Sequence, residues 1–380
     1  MNGLLVVPPI CGNKKNIGDY IQSVAQEQYW NYIDCYVERE KLASFYSKEK
    51  TNLIMNGWFM WNAEQFPPSD SINPFFISFH LSPSVSSRLL TPASIAYFKK
   101  YEPIGCRDID TQKILESHGI KCYFSGCLTL TLNLKYSKNL PSGKIIIADP
   151  YFEIGGSKNF SQAKRLGILL KESLLYPKNI SKIKALYCKN REYVQGVRGF
   201  IRKWIEAASL HYTYSSFLAD DVLLNATYVS HIVDQTGMDE DGKMDLAKQY
   251  IKMYGSAKMV ITSRIHAALP CLSLNTPVIF CTTEKLANNG LEGSAGGRFA
   301  GLIDLLNSIS MDGRDITCSD SLKGILQKGK LTMSTKFFNP NNHRVMAKNL
   351  AEKTFAFVHK CEMGGGVKPN SSFTACRMAA

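Results

Sequence analysis

From Leu4 to Val7 the chain carries an unbroken apolar run, too short for a helix, which predicts a strand buried on both faces. A polar loop with Gly12, Asn13, Asn16 and Gly18 follows. Ile17, Ile21, Val24 and Ala25 then fall on one helical face, so Asn16 is placed to cap a helix reaching about Trp30. Further short apolar runs at Ile33–Val37, Leu53–Met55 (ending in Asn56-Gly57) and Phe75–Phe79 predict more strands. Thr91-Pro92 is a strong helix start, with Thr as cap and Pro at the first helical position. Pro103–Cys106 predicts a strand that ends at Arg107-Asp108, before a helix from Thr111 to Ser117 stopped by Gly119. Lys121–Phe124 is the next strand. Strand alternating with helix is the rhythm of a parallel sheet, and it defines a first domain over residues 1–135.

The polar stretch 133–143, ending in Pro-Ser-Gly, reads as a linker, after which the rhythm restarts. Ile145–Ala148 is a buried strand, helices cover roughly 161–173 and 192–208, and Thr227–Ile232 is a strand with His231 at its end. The helix at 243–254 buries Ala247, Tyr250, Ile251 and Tyr254. A second domain over 144–335 follows from this rhythm, with a Gly-rich loop at 288–297, a helix from Arg298 through Leu306, a closing helix over 340–362 and a disordered polar tail at 363–380.

The most informative stretch is Lys258–Phe280. Met259, Val260 and Ile261 form an apolar run, Thr262 and Ser263 follow, and then come Arg264 and His266. An apolar helical segment leads to a second run, Val278–Phe280. Strand, tight turn, helix, strand places Ser263, Arg264 and His266 at the carboxyl end of a strand and the first turn of a helix, where ligands of open α/β sheets bind. Such a helix N-terminus offers N–H groups and partial positive charge to an anion. Arg264 adds a planar cation for phosphate or carboxylate, and His266 adds a group that exchanges protons near neutral pH.

Composition narrows the classes. Apolar content of 45% and charged content of 20% in 380 residues describe an ordinary globular chain large enough for two domains. The formal charge of +13 could serve nucleic acid, an anionic membrane or acidic small substrates. With no dense Lys/Arg block and no aromatic-interleaved basic motif, it is read as lysine spread over solvated faces rather than a nucleic-acid footprint. The eleven cysteines include no CxxC pair, which argues against a zinc site or a disulfide framework and for reduced thiols in the cytoplasm. No apolar run has signal-peptide or membrane-spanning length. The first loop lacks both GxGxxG and the P-loop signature.

The remaining polar residues admit two readings each. Asn16, Gly18 and Asp19 are a capped helix start or part of a site. Arg107 and Asp108 are a local ion pair or the far wall of a ligand site. His231 is a core histidine or a functional one. Arg298, after Gly296-Gly297, starts a solvated helix or lets the backbone approach a ligand.

NIGDYIQ near the N-terminus, IGCRD followed by TQKILESHGI, and above all SRIHAALPCLSLNTPVI resemble the polysaccharide pyruvyl transferase family, over most of residues 12–281. Where that family often shows a run of glycines after its third strand, this chain has Asn56-Gly57-Trp58. The resemblance implies two Rossmann-like domains facing a central cleft, a GT-B-like architecture. It implies transfer of the pyruvyl group of phosphoenolpyruvate onto hydroxyls of a sugar or lipid-linked oligosaccharide as a ketal, with no metal and no further cofactor. In that scheme His266 is the acid and Asp19 or Asp108 the base, while Arg264, Ser263, Asn16, Gly18, Arg107 and Arg298 bind substrate. The basic surface would suit a pyrophosphate-linked acceptor or the inner face of a membrane. A nucleotide-sugar glycosyltransferase and a non-catalytic sugar-phosphate binder are the alternatives.

Overall fold

The computed structural model describes residues 1–7, 14–137, 142–152, 154, 161–189, 191–283 and 299–364. Arg298, the Gly-rich loop and residues 365–380 of the expected tail lie outside them. Two six-stranded sheets carry the fold.

The first contains β1 (Asn2–Val6), β3 (Cys35–Glu38), β4 (Thr51–Phe59), β5 (Ile72–Leu81), β6 (Ile104–Cys106) and β7 (Cys122–Phe124), in the order β3-β1-β4-β5-β6-β7. All of its pairings are parallel. The second contains β8 (Ile145–Ala148), β9 (Thr227–Val229), β11 (Met259–Thr262), β12 (Val278–Thr283), β13 (Asn307–Asp312) and β14 (Asp315–Cys318), in the order β14-β13-β12-β11-β8-β9. Only β13–β14 is antiparallel there. These are the two parallel-sheet halves expected from the strand-helix rhythm, and they are consistent with the two Rossmann-like domains that the resemblance implies. In each, the chain turns outward on one side of a strand and returns on the other, between β1 and β4 and between β8 and β11. Ligands of open parallel sheets bind outside such switch points.

The sheets share one core. Helix α1 (Ile17–Glu27) is buried nearly all round, with Ile17, Tyr20, Ile21 and Val24 at 0% exposure. A helix apolar on one stripe would bury one face only; α1 is covered on one side by the first sheet and on the other by α9 (Glu240–Ser256) and α10 (Ile265–Ser273). Two of its polar side chains bond into the first sheet: Ser23 donates to the Leu5 carbonyl at 2.7 Å, and Gln26 Nε2 to Asn56 Oδ1 at 2.8 Å. Tyr20 Oη donates to Glu240 at 2.7 Å, tying α1 to α9. A cleft between the domains is not a feature of the described residues. Leu128–Leu134, whose last two residues overlap the expected linker at 133–143, forms a 3-10 helix whose residues 128–132 are buried in this common core.

Several elements differ from the sequence pattern for local reasons. The strand expected to end before Asn56-Gly57 continues to Phe59, because Gly57 takes φ +103° and absorbs a bulge against β5. The expected strand Thr227–Ile232 breaks at Ser230-His231, and β10 (Ile232–Asp234) leaves the sheet to pair antiparallel with β2 (Lys14–Asn16). The helix expected up to Leu306 is only a 3-10 turn, Ile303–Leu305, in its described part, with Gly301 at φ +82° before it. The helical stretches expected at 161–173 and 192–208 are α5 (Gln162–Leu175) and α7 (Val197–Tyr214); α6 (Pro177–Tyr187) between them has no clear sequence signal, since its apolar positions are interleaved with three lysines. The last helix runs from His343 to Gly364.

Candidate active site

At the switch point of the second sheet, β8 ends in Asp149 and β11 ends in Ser263-Arg264. Arg264 is the N-cap of α10, yet no side chain caps that helix, so the cap position carries a cation beside the first-turn amides. The Arg264 amide donates to Thr262 Oγ1 at 2.9 Å, which fixes the turn. The Arg264 Nε donates to Asp149 Oδ2 at 2.9 Å, and the side chain remains 34% exposed. The structure thus brings Arg264 to the strand end that the pattern expected.

Asp149, which the sequence reading passed over, is the hub. Its Oδ1 accepts from Arg191 at 2.7 Å, and its Oδ2 also accepts from the His231 amide at 2.9 Å. Burial would raise this carboxyl, but Arg264, the His231 amide and Arg191 outweigh it and hold the pKa below the ordinary value. Asp149 takes φ +40°, an uncommon conformation that aspartate tolerates better than most residues. An acidic residue directly after the apolar run Ile145–Ala148 was the available signal. Arg191 carried none, lying outside any periodic segment.

Ser263 is turned inward: its Oγ accepts from the Tyr151 amide at 3.0 Å. His266 lies in the first turn of α10 and is 8% exposed. It packs on the start of α1: a Cβ built on Gly18 would come within 3.1 Å of His266 Cβ and 3.3 Å of its Nδ1. Glycine at 18 is therefore what allows the two helix N-termini to meet. Asn16 caps α1 by accepting from the Gly18 amide at 3.1 Å, as the pattern expected.

His231 joins the two domains through its backbone. Its amide donates to Asp149, and its carbonyl accepts from the Ile17 amide at 2.8 Å. Its ring is fully buried, with Nε2 hydrogen-bonded to Tyr254 and Nδ1 without a partner among the described residues. Burial holds its pKa down, to about 4 from 6.5. The unfolded chain therefore takes up this proton at higher pH than the folded one, so stability falls as pH drops from 6.5 toward 4. A shift of this size is worth about 3 kcal/mol. In denaturant titrations, His231→Gln should flatten that part of the stability–pH curve; an unchanged slope would assign the loss to other groups.

A second polar constellation lies at the switch point of the first sheet. Asp19, Gln22, Arg39, Asn56 and Gly57 line a small pocket with Leu5 and Val7. Gln22 Nε2 lies 3.4 Å from Asp19 Oδ1, and Gln22 Oε1 is buried without a partner among the described residues. Farther along that sheet, Arg107 is 4% exposed and its Nε lies 3.6 Å from Asp108. Asp108 is fully buried, caps α4 (Ile109–Glu116) and pairs with His80. Burial would raise its pKa, but His80 and Arg107 lower it on balance. A carboxylate so enclosed holds its helix and His80. No group of His, Cys, Asp and Glu among the described residues has the arrangement of a metal site.

Two parallel-dominated α/β halves, with an Arg-x-His turn at a switch point and two arginines on one carboxylate, place the chain in the class of doubly wound α/β proteins. The model of the polysaccharide pyruvyl transferase family matches residues 16–285, and the chain belongs to that family. The match runs from the Asn16 cap to just past β12; it takes in the second switch point, leaves β1 outside, and stops short of Arg298. A comparison with curated proteins returns no match.

Proposed function

We propose that the chain transfers the pyruvyl group of phosphoenolpyruvate to hydroxyls of a sugar in polysaccharide biosynthesis, forming a ketal and releasing phosphate. The observation that carries this reading is the Arg264–Asp149–Arg191 arrangement beside the α10 N-terminus. The donor bears a phosphate and a carboxylate and needs two anion sites; two arginines oriented by one carboxylate, with helix amides beside them, supply that capacity. His266, as imidazolium, delivers a proton to the donor methylene, giving an oxocarbenium-like centre at C2. A sugar hydroxyl attacks C2, its proton passing to Asp19; phosphate then leaves, and a second hydroxyl closes the ketal, its proton passing to the now neutral His266. Asp19 lies beside the amide groups of Gln22 and Asn56, and this carboxylate and these amide oxygens are acceptors of the kind a sugar hydroxyl can donate to.

Calorimetric titration with phosphoenolpyruvate, beside inorganic phosphate and uridine diphosphate sugars, tests the donor. Selective binding of phosphoenolpyruvate, weakened at least about tenfold in Arg264→Ala, is expected for loss of a charge-assisted contact. Selective binding of a nucleotide sugar would assign the site to glycosyl transfer instead.

A further inference from the structure

Helices α5 and α7 present apolar side chains to solvent. On α5, Leu166, Leu170 and Leu174, one turn apart, are 55%, 56% and 81% exposed. On α7, Val197, Phe200, Ile201 and Ile205 form a second exposed stripe. The two helices are joined by the Trp204 Nε1 hydrogen bond to Ser173 Oγ at 2.9 Å, and both residues lie beside these stripes on their helices. Ten of the 22 exposed large apolar side chains among the described residues fall within residues 161–206.

The same segment concentrates charge. Residues 161–206 contain 11 Lys and Arg and 3 Asp and Glu, so they hold +8 of the chain's +13. Of the three acids, Glu172 is buried on His211 and Glu206 is engaged by Arg202 and Tyr193. Lys184 lies over the rings of Phe200 and Trp204, at 4.3 and 5.1 Å. The charge read from the sequence as diffuse is concentrated in this one segment, which folds as helices α5, α6 and α7. The connection between α6 and α7 also delivers Arg191 to Asp149, so this layer is continuous with the candidate active site.

We propose that the α5–α7 face is a docking surface for an anionic lipid bilayer, with the leucine and isoleucine stripes in the interface and the lysines and arginines on the headgroups. Amphipathic helices with basic flanks bind membranes in this way, lying in the plane of the interface. A second copy of this chain fits the face poorly, because a symmetric contact would set +8 against +8. A bilayer supplies the opposite charge and an apolar layer together. The arrangement also suits an acceptor sugar carried on a lipid, held where Arg191 and Arg264 can act on it.

The test is co-sedimentation of the full chain with phosphatidylcholine vesicles, with and without phosphatidylglycerol, at low and high salt. Binding to the anionic vesicles is expected, weakened by salt and absent from phosphatidylcholine alone. Leu170→Glu combined with Ile201→Glu, and separately Lys171→Glu combined with Arg198→Glu, should each reduce binding by at least about tenfold, with unchanged circular dichroism melts. These side chains are exposed and lie outside the candidate site, so phosphoenolpyruvate titrations should be unaffected. The proposal is overturned by an absence of binding to anionic vesicles at low salt, or by undiminished binding in both variants. It is equally overturned by a dimer in sedimentation velocity that the Leu170→Glu/Ile201→Glu variant disperses, which would give the face to a second copy. The vesicle readout involves no turnover, so its failure leaves pyruvyl transfer untouched.

Discussion

His266→Ala is expected to lower phosphate release from phosphoenolpyruvate in the presence of a sugar acceptor by about 10²–10⁴-fold, the usual worth of a positioned general acid. The imidazole occupies the first turn of α10, directly after the Arg264 cap and against Gly18 of the other domain. Its loss removes the proton donor while leaving the anion site of Arg264, Arg191 and the α10 amides in place. Donor affinity by calorimetry should therefore change little while turnover collapses, and the thermal melt should remain cooperative. Near-full turnover in this variant would take His266 out of the acid role. Lost donor affinity with intact turnover per bound donor would make it a binding residue instead.

Asp149→Asn is expected to destabilise the protein by about 2–4 kcal/mol. Removing one partner of a buried pair costs about 3–5 kcal/mol, and the partial exposure of Arg264 and Arg191 discounts that figure. Asparagine tolerates the φ of +40° at this position, so the substitution isolates the charge from the backbone strain that alanine would add. Two arginines lose their common counter-ion, and the His231 amide keeps only a neutral acceptor. Inorganic phosphate should bind as well as before or more tightly, because the site gains positive charge. Turnover should fall, because the guanidinium orientations are no longer fixed by a charged hub. Unfolding curves and phosphate titrations read the two effects separately. An unchanged midpoint would mean that Asp149 does not tie the site together energetically.

Much of this was legible in the chain. The strand-turn-helix at Met259–Ser273 follows from periodicity, because a strand buried on both faces must be an apolar run and the polar pair after it can lie only at the sheet's edge. Arg264 and His266 were thereby placed before any coordinates. The caps of α1, α3 (Pro92–Lys100) and α9 are equally local: Asn16, Thr91 and Asp239 each accept from an amide of the first turn. Thr91 and Asn16 were read from sequence for that reason.

The rest depended on contacts between residues far apart in the chain. Asp149, Arg191 and Arg264 are separated by 42 and 115 positions in their pairings, and no periodicity relates them. The break of the expected strand at His231 is a tertiary effect, since residues 232–234 find a better partner in β2 than in the edge of their own sheet. Asn56-Gly57 reads as a turn in isolation, yet the flanking β5 ladder carries the strand through it as a bulge. By itself, then, the sequence determined two parallel α/β halves and an Arg-x-His turn at a strand's carboxyl end, because burial periodicity and capping act over a few residues. Only the tertiary structure decided which carboxylate holds the arginine, how α1 became enclosed between the first sheet and helices α9 and α10, and which leucines stay exposed. Those depend on which surfaces meet, and adjacency in space is not encoded in local spacing.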